Sequence, residues 1–288
     1  MNKKDFQTAN ICIIGGRGRM GGWFESQFRK AGMDPVISDL NDSSLTQSMI
    51  ASFDVVMLAV PIPAVVEVMK SIGSHLSRDT AVIDISSIKR EPLNHMLQYS
   101  PGEVIGSHPL FGPSAPSFVG QVMFLCPARI GRWTDPFRHF LNDQGAKIIE
   151  IDPDDHDRLM ACAQSLRHVM LTALGKTLMS LGLDPQRDLG VSGKWFQQLM
   201  EMMTHQFEQP AELYADLAIE NQYSDVAIRC FHDNLLELVD LVHTGDRAGL
   251  ARAMGSVAGF LTSKETTSKD SSWGWRNDTG GDSRHMEV

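Results

Sequence analysis

The residues with the clearest chemical potential surround His108, which lies within residues 106–113 (GSHPLFGP). An imidazole titrates near neutral pH, so this histidine could accept a proton during a reaction. The neighbouring prolines restrict the backbone and would hold the ring in one place. Because residues 103–106 form a predicted strand, we expect a rigid loop after it to place His108 at the edge of a sheet. The alternative is a loop histidine that is bonded only to the backbone.

A glycine motif near the N-terminus is typical of a dinucleotide site. Gly16, Gly18 and Gly21 fit the pattern G-x-G-x-x-G between a predicted strand and a predicted helix. In this interpretation Gly16 makes the tight turn, Gly18 lets the backbone approach a pyrophosphate, and Gly21 allows close packing of helix on strand. The N-terminus of that helix would supply amide donors to the phosphates. The alternative is a purely structural turn.

The predicted cofactor is NAD. Asp39 follows the second predicted strand, 18 residues after Gly21, where a carboxylate accepts hydrogen bonds from ribose hydroxyls and repels a 2′-phosphate. Arg17 and Arg19 could face such a phosphate, which leaves NADP open. The other residues that we expect at the cofactor site are Met20, Val60, Pro61 and Ser86, together with Arg17.

The first half of the chain alternates short apolar segments with amphipathic ones. This pattern predicts strands over residues 11–14, 35–38, 54–60, 80–85, 103–106, 122–126 and 147–151. Apolar runs of this length, separated by helices, indicate a parallel sheet that is covered on both faces. The predicted fold class is therefore α/β, a doubly wound Rossmann-type sheet over residues 1–152.

The second half is predicted to be helical, with long helices at 159–181 and 214–242. Its apolar faces are broader than a lone helix needs, which suggests a homodimer, although burial within one chain would also explain them. We expect a helical substrate and dimerisation domain over residues 153–262. The remainder, 263–288, is polar and is predicted to be a disordered tail.

Composition excludes several classes of protein. The net charge of −9 does not suit a nucleic-acid surface, which needs clustered cations. No run approaches the length of a membrane span, and the polar N-terminus lacks the apolar core of a signal peptide. The four cysteines match no metal-ligand spacing and are expected to be reduced. We therefore expect a cytoplasmic protein without a metal site.

Three segments should meet at the carboxyl edge of the sheet: the glycine loop, residues 84–89 (DISSIK) and residues 107–113 (SHPLFGP). Together they resemble the prephenate dehydrogenase family, whose members carry G-x-G-x-M-G, D-x-x-S-x-K and G-x-H-P-M-F-G-P segments. The resemblance covers about residues 10–260 and continues through residues 155–157 (DHD), 166–168 (LRH) and 213–216 (LYAD).

The resemblance implies a nucleotide-binding domain, a helical dimerisation domain and the oxidative decarboxylation of a cyclohexadiene. It implies that His108 bonds the C4 substituent and accepts its proton, with Ser87 as its hydrogen-bonding companion. His168 would bind substrate, or else be a buried structural histidine. Lys89 would position the loop or the cofactor, or else lie at the surface.

One departure from the family pattern concerns the substrate. The family's arginine that pairs with the ring carboxylate falls at Gln197, and an amide cannot replace a bidentate guanidinium. Either Lys194 substitutes for it, or the substrate differs. We favour 4-amino-4-deoxyprephenate, whose ammonium reduces the net negative charge, over prephenate in tyrosine biosynthesis. Gln197 and Lys194 are accordingly expected to bind substrate.

Two further interpretations remain open. A β-hydroxyacid dehydrogenase would use a lysine on the first long helix of the second domain, and Lys176 lies in that region, although its neighbours do not match that family. A non-catalytic NAD sensor would bind the dinucleotide without hydride transfer, but it would not need Ser87 and His108. His156 lies among acidic residues, which a helix start explains better than a metal site does.

Overall fold

The computed structural model describes residues 5–39, 45–188, 191–208 and 210–263. The strands are β1 (Ile11–Ile14), β2 (Val36–Ser38), β3 (Val55–Leu58), β4 (Ala81–Asp84), β5 (Glu103–Pro109), β6 (Val122–Arg129) and β7 (Lys147–Glu150). The helices of this half are α1 (Arg19–Lys30), α2 (Gln47–Ser52), α3 (Ala64–Ile72), α4 (Arg90–Tyr99) and α5 (Thr134–Asp143). Residues 264–288 of the predicted tail lie outside the described residues.

The strands form one seven-stranded sheet in the order β2-β1-β3-β4-β5-β6-β7. The prediction of a parallel sheet holds for β1 to β5, but β6 is antiparallel to β5, and β7 is parallel to β6. The reason lies in residues 110–121, which contain no helix and return the chain into the sheet from the same edge. A parallel connection needs a crossover, which is usually helical.

Both faces of the sheet are covered, because successive side chains of each strand point to opposite faces. Ile11 and Ile13 pack with residues of α1 and α5, whereas Cys12 and Ile14 pack with residues of α2, α3 and α4. This double cover explains why the strands read as continuous apolar runs. It also leaves the carboxyl edge of β1 to β5 as the place where loops can carry polar groups.

Helices follow the sheet: α6 (Pro153–Met160), α7 (Arg167–Ser180), α8 (Pro185–Asp188), α9 (Lys194–Phe207), α10 (Ala211–Glu220), α11 (Ser224–Thr244) and α12 (Arg247–Thr262). The helix predicted over 214–242 is broken between α10 and α11. Asn221 causes this break, since its side chain donates to the carbonyl of Asp157 (2.8 Å) and accepts from the amide of Tyr223 (2.9 Å).

The described residues up to Phe231 form one compact unit, and those from His232 form a second. Helices α6 to α10 therefore belong to the same compact unit as the sheet. The predicted domain division after residue 152 follows the change from strands to helices and stays a prediction. None of the described helices is long and apolar enough to cross a membrane.

Candidate active site

The glycine loop after β1 has no room for side chains on its inner side. Gly15 has a φ of +82°, and a Cβ atom there would lie 2.4 Å from the carbonyl oxygen of Ala59. A Cβ at Gly21 would lie 2.3 Å from the carbonyl oxygen of Gly15. The tight turn expected at Gly16 is therefore made by Gly15, while Gly16 is restricted by Ile37, whose Cγ2 would lie 2.6 Å from its Cβ.

The loop leads into an open helix end. Gly18 is the N-cap of α1, so no side chain covers the first amides of the helix, and Met20 is half-buried in its first turn. The loop lies between the ends of β1 and β3, where the strand order reverses, and this is where ligands bind in open α/β sheets. The bare amides and the absence of Cβ atoms fit the pyrophosphate of a dinucleotide.

Asp39 and Arg17 form an ion pair beside this loop. An Nη atom of Arg17 lies 2.9 Å from a carboxylate oxygen of Asp39, and the two side chains are 62% and 36% exposed. Because Asp39 follows β2, its carboxylate lies within reach of the glycine loop. A carboxylate there would accept bonds from ribose hydroxyls.

The ends of β3 and β4 carry the other predicted cofactor residues. Val60 is half-buried, and its Cγ1 would lie 2.9 Å from a Cβ at Gly15, whereas Pro61 is exposed. Ser86 is held internally, since its amide donates to Asp84 (2.9 Å) and its hydroxyl donates to the carbonyl of Ile88 (2.8 Å). These residues share the sheet edge with the glycine loop.

His108 lies within β5 and not in a loop beyond it, because β5 and β6 remain paired as far as Pro109 and Met123. Its side chain is buried, with only 2% of the residue exposed. The segment after β5 packs against the helix that follows the glycine loop, where the Trp23 indole nitrogen donates to the carbonyl of Ala115 (2.6 Å). The segment that follows His108 is thus bonded to the helix that follows the glycine loop.

A second buried histidine contacts His108. His108 Nδ1 and His156 Nε2 are 2.9 Å apart, and His156 Nδ1 is 2.8 Å from a carboxylate oxygen of Asp157. Burial lowers the pKa of His108 well below its usual range, and the charges of His156 and Lys89 lower it further. Burial also lowers the pKa of His156, although its hydrogen bond to Asp157 opposes this change. Both rings are therefore neutral at pH 7.

Lys89 is buried and not at the surface. Its ammonium contacts the carboxylate of Asp84, which is also buried, and donates to the carbonyl of Ser107 (2.8 Å). A Cβ at Gly106 would lie 3.0 Å from Lys89 Cδ, so the glycine leaves room for the lysine stem. The ion pair thus fixes the backbone immediately before His108.

Ser87 makes no direct hydrogen bond to His108 in this structure. The residue is half-buried, and its hydroxyl makes no hydrogen bond to His108 or to any other residue that the structure describes. The Nδ1 atom of His108 is instead engaged by His156. Any role of Ser87 beside His108 therefore concerns the other ring nitrogen and stays a prediction.

A π-helical turn over Ala161–Leu166 joins α6 and α7 into one continuous helix. In an α-helix, His156 and His168 would point about 120° apart, because twelve residues do not complete a whole number of turns. A π turn takes up about one extra residue, which reduces this angle to about 20°. The turn thus puts both histidines on the same side of the helix, where both are buried.

His168 lies against Tyr214 of α10, with ring centroids 4.0 Å apart. Its Nδ1 and both amide atoms of Gln206 are buried. Burial lowers the pKa of His168, although the Gln206 side chain opposes this change. Tyr214 and Leu217 of α10 in turn pack with Ile88, beyond β4, so α10 covers part of the sheet edge.

Lys194 and Gln197 lie at the start of α9. Both lie in the first turn of α9, where Lys194 is exposed and Gln197 donates from its amide to the carbonyl of Ser192 (3.1 Å). Gln206 lies nine residues farther along α9, a distance of about 13 Å. The substrate-binding role predicted for Lys194 and Gln197 stays a prediction.

Sequence reasoning missed two residues, His156 and Asp157, whose acidic surroundings suggested only a helix start. Asp152 does cap α6, but Asp157 serves another purpose. Its two carboxylate oxygens accept from the backbone amides of Lys89 (2.7 Å) and Arg90 (2.9 Å) at the start of α4. The signal in the sequence was the DHD run itself, in which a histidine has a carboxylate as its immediate neighbour.

Comparison with known proteins agrees with this architecture. Residues 25–150 match the model of the prephenate dehydrogenase nucleotide-binding domain, and residues 152–256 match that of the prephenate dehydrogenase dimerization domain. The chain is 31% identical to the T-protein of Haemophilus influenzae over 261 residues, which are 89% of this chain and 69% of that protein.

Two other relatives carry more specific names. A probable arogenate/prephenate dehydrogenase of Methanocaldococcus jannaschii is 28% identical over 86% of this chain and 60% of its own length. A 4-amino-4-deoxyprephenate dehydrogenase of Streptomyces pristinaespiralis is 23% identical over 74% of this chain and 72% of its own length.

Among solved structures, prephenate dehydrogenase from Aquifex aeolicus, in complex with hydroxyphenyl propionate and NAD+, has a similar fold. The TM-score is 0.70 at 21% identity, over 90% of this chain and 99% of that one. With both domain models matched in order along the sequence, the chain belongs to the prephenate dehydrogenase family.

Proposed function

We propose that the chain catalyses the NAD-dependent oxidative decarboxylation of a prephenate-type cyclohexadiene to an aromatic product. The observation that carries this proposal is His108, a buried neutral imidazole at the same sheet edge as the glycine loop. Such a ring can accept a proton during the reaction, because it is not already protonated before substrate binds. The glycine loop and Asp39 support NAD as the dinucleotide.

The reaction needs little beyond correct placement. NAD, held by the glycine loop and Asp39, would supply the acceptor for the hydride that leaves C4 of the ring. His108 takes the proton of the C4 substituent as this hydride leaves. The bond between the ring and its carboxylate then breaks, carbon dioxide departs, and the electron pair completes the aromatic ring, whose C4 substituent recovers the proton.

The state of His108 favours a C4 hydroxyl. Loss of hydride makes a hydroxyl proton strongly acidic, so an imidazole with a lowered pKa suffices to accept it. An ammonium must lose a proton before its nitrogen can assist hydride departure, and a weak base is poorly matched to that step. We therefore propose prephenate or arogenate as the first candidate substrate.

The second candidate is 4-amino-4-deoxyprephenate, the substrate that the sequence favoured. Gln197 supports it, because this position lacks the guanidinium that would pair with the ring carboxylate of a more anionic substrate. Each candidate has one feature of the site against it. For the amine-bearing substrate this feature is the weak proton acceptor, His108. For the hydroxyl-bearing substrates it is the lack of a cation at Gln197.

Rates of NADH formation with prephenate, arogenate and 4-amino-4-deoxyprephenate separate these candidates. We expect the highest kcat/KM with a hydroxyl-bearing substrate. A clearly higher kcat/KM for the amine would support the second candidate. Absence of turnover with all three would contradict the proposed function.

Variants of two residues address the other interpretations. His108→Ala should abolish turnover and leave NAD affinity within about 2-fold, since a general base contributes about 10²- to 10⁴-fold to rate. An NAD sensor would bind the dinucleotide and have no turnover to lose. Lys176 is exposed on α7, so Lys176→Met should leave kcat unchanged, whereas a β-hydroxyacid dehydrogenase would lose its activity.

We also propose that the chain forms a homodimer through its helical part. Within the second compact unit, apolar side chains remain largely exposed on α11 and α12, including Leu235, Leu236, Val242 and Val257. Such a patch is typical of a subunit interface. Light scattering after size-exclusion chromatography tests this, and a monomer at micromolar concentration would contradict it.

A further inference from the structure

The hydrogen bonds around His108 determine which of its ring nitrogens can accept a proton. A carboxylate only accepts, so His156 Nδ1 carries the hydrogen in its bond to Asp157. In a neutral His156, Nε2 is then an acceptor, and the 2.9 Å contact requires His108 Nδ1 to donate. The Nε2 atom of a neutral His108 is left with a lone pair. We propose that His156 and Asp157 are positioning residues that hold His108 in this proton-accepting tautomer.

The proposal rests on the proposed function and assigns the orientation of its base. Asp157 is well placed to fix the chain of bonds, because the N-terminus of α4 holds its carboxylate through the amides of Lys89 and Arg90. A carboxylate is favoured at this end of a helix. His156 cannot rotate freely, since it is fully buried and its ring lies edge-on to those of His108 and Phe124.

The charged groups around the two rings agree with this arrangement. From the β4–α4 connection, Lys89 faces the pair with its charge balanced by Asp84. From β6, Cys126 is a neutral thiol, because burial raises its pKa to about 12. From α6, Asp157 contributes the carboxylate that bonds to His156. This carboxylate orients a ring of the pair directly, as an aspartate does in a serine-protease triad.

Asp157→Ala should release the tautomers. No carboxylate then holds the hydrogen of His156 on Nδ1, so this hydrogen can move to Nε2. In that form His108 Nδ1 accepts and its Nε2 carries a hydrogen, so it cannot accept the substrate proton. We expect kcat to fall about 10-fold or more, with the KM for NAD within about 3-fold of wild type.

Two substitutions of His156 distinguish positioning from packing. His156→Leu removes the acceptor and should lower kcat about 100-fold or more. His156→Gln keeps an oxygen to accept from His108 and an amide to donate to Asp157, so kcat should recover to within about 10-fold of wild type. The matched control is His95→Leu on α4, where His95 faces Glu91, and we expect wild-type kcat. Equal kcat in the leucine and glutamine variants would overturn the proposal.

A substrate-free measurement keeps this test separate from the proposed function. Nitrogen-15 chemical shifts of the imidazole rings report which nitrogen carries hydrogen. We expect hydrogen on His108 Nδ1 in the wild-type protein and a mixture of both tautomers in Asp157→Ala. Hydrogen on Nε2 in the wild-type protein would overturn the proposal even in an active enzyme. If no cyclohexadiene is turned over, the proposed function fails, and the proposed tautomer is still decided by these shifts.

Discussion

The two ends of the active site are formed by different chemical groups. The glycine loop presents backbone amides, and its charged neighbours Arg17 and Asp39 are 62% and 36% exposed. At the end that we propose for proton transfer, called the proton-transfer end below, Lys89, His108 and His156 are at most 2% exposed. A dinucleotide brings its own charge and needs only open donors, whereas a proton acceptor needs a fixed, dry environment. Solvent is thus tolerated at one end and excluded from the other.

The effect of a substitution also differs between the two ends of the site. Around His108, a substitution leaves a charge or a polar atom without its partner in a medium of low dielectric constant. At the glycine loop, a substitution introduces a steric clash. At the exposed Arg17–Asp39 pair, water solvates the charge that a substitution leaves behind. The following predictions test this difference.

The largest effect is expected at Lys89. Lys89→Met removes the partner of the buried carboxylate of Asp84 and should lower the free energy of unfolding by about 3–5 kcal/mol. Urea-induced unfolding measures it. The double variant Lys89→Met with Asp84→Asn should recover much of the loss, because no buried charge is left alone. A single variant as stable as the wild-type protein would show that this end tolerates an unpaired charge.

Gly15→Ala should have the next largest effect. The added Cβ would combine a left-handed backbone with a contact of 2.4 Å to the carbonyl oxygen of Ala59, so we expect a loss of about 1–3 kcal/mol. The KM for NAD should also rise, because the loop must move. Gly32→Ala is a matched control, since Gly32 also has a positive φ but open space around it. Equal losses in the two variants would show that only backbone strain matters.

Acid should destabilise the folded chain through its buried histidines. The pKa values of His108, His156 and His168 are lower in the folded chain than the ordinary 6.5, so the unfolded chain binds more protons below about pH 6.5. The free energy of unfolding should therefore decrease as pH falls below 6.5, by up to about 1.4 kcal/mol per pH unit for each excluded proton. Urea titrations at about pH 7.5 and 5.5 measure this slope, which His108→Gln should reduce.

The smallest effect on stability is expected at Arg17. Arg17→Ala removes an exposed ion pair and should change the free energy of unfolding by less than about 1 kcal/mol. Its effect should appear in cofactor choice, because Asp39 remains and no longer faces this guanidinium. We expect NAD to stay preferred over NADP in the ratio of kcat/KM values. A preference for NADP would mean that Asp39 does not define this site.

The same contrast explains what could be predicted from the sequence. The glycine loop is local, since Gly16, Gly18 and Gly21 act within one strand–turn–helix unit, and spacing alone identifies them. The strands were identified by their apolar runs, which double burial requires. The direction of β6 depended on how residues 110–121 pack, which no periodicity records.

The proton-transfer end joins residues far apart in the chain. His108 and His156 are 48 positions apart, and Asp157 is 68 positions from the amide of Lys89. Lys89 looked like a possible surface residue, because its burial depends on Asp84 and on the space left by Gly106. For the same reason Ser87 was expected beside His108 on the basis of resemblance, and His156 was not.

The π turn at Ala161–Leu166 has a consequence for how such a site evolves. A helix gains or loses a π turn most simply through the insertion or deletion of a single codon. Such an event in this segment would leave the sheet and the glycine loop untouched, yet it would turn His168 about 100° relative to His156. The relative orientation of His156 and His168 is therefore inherited through helix length as well as through residue identity.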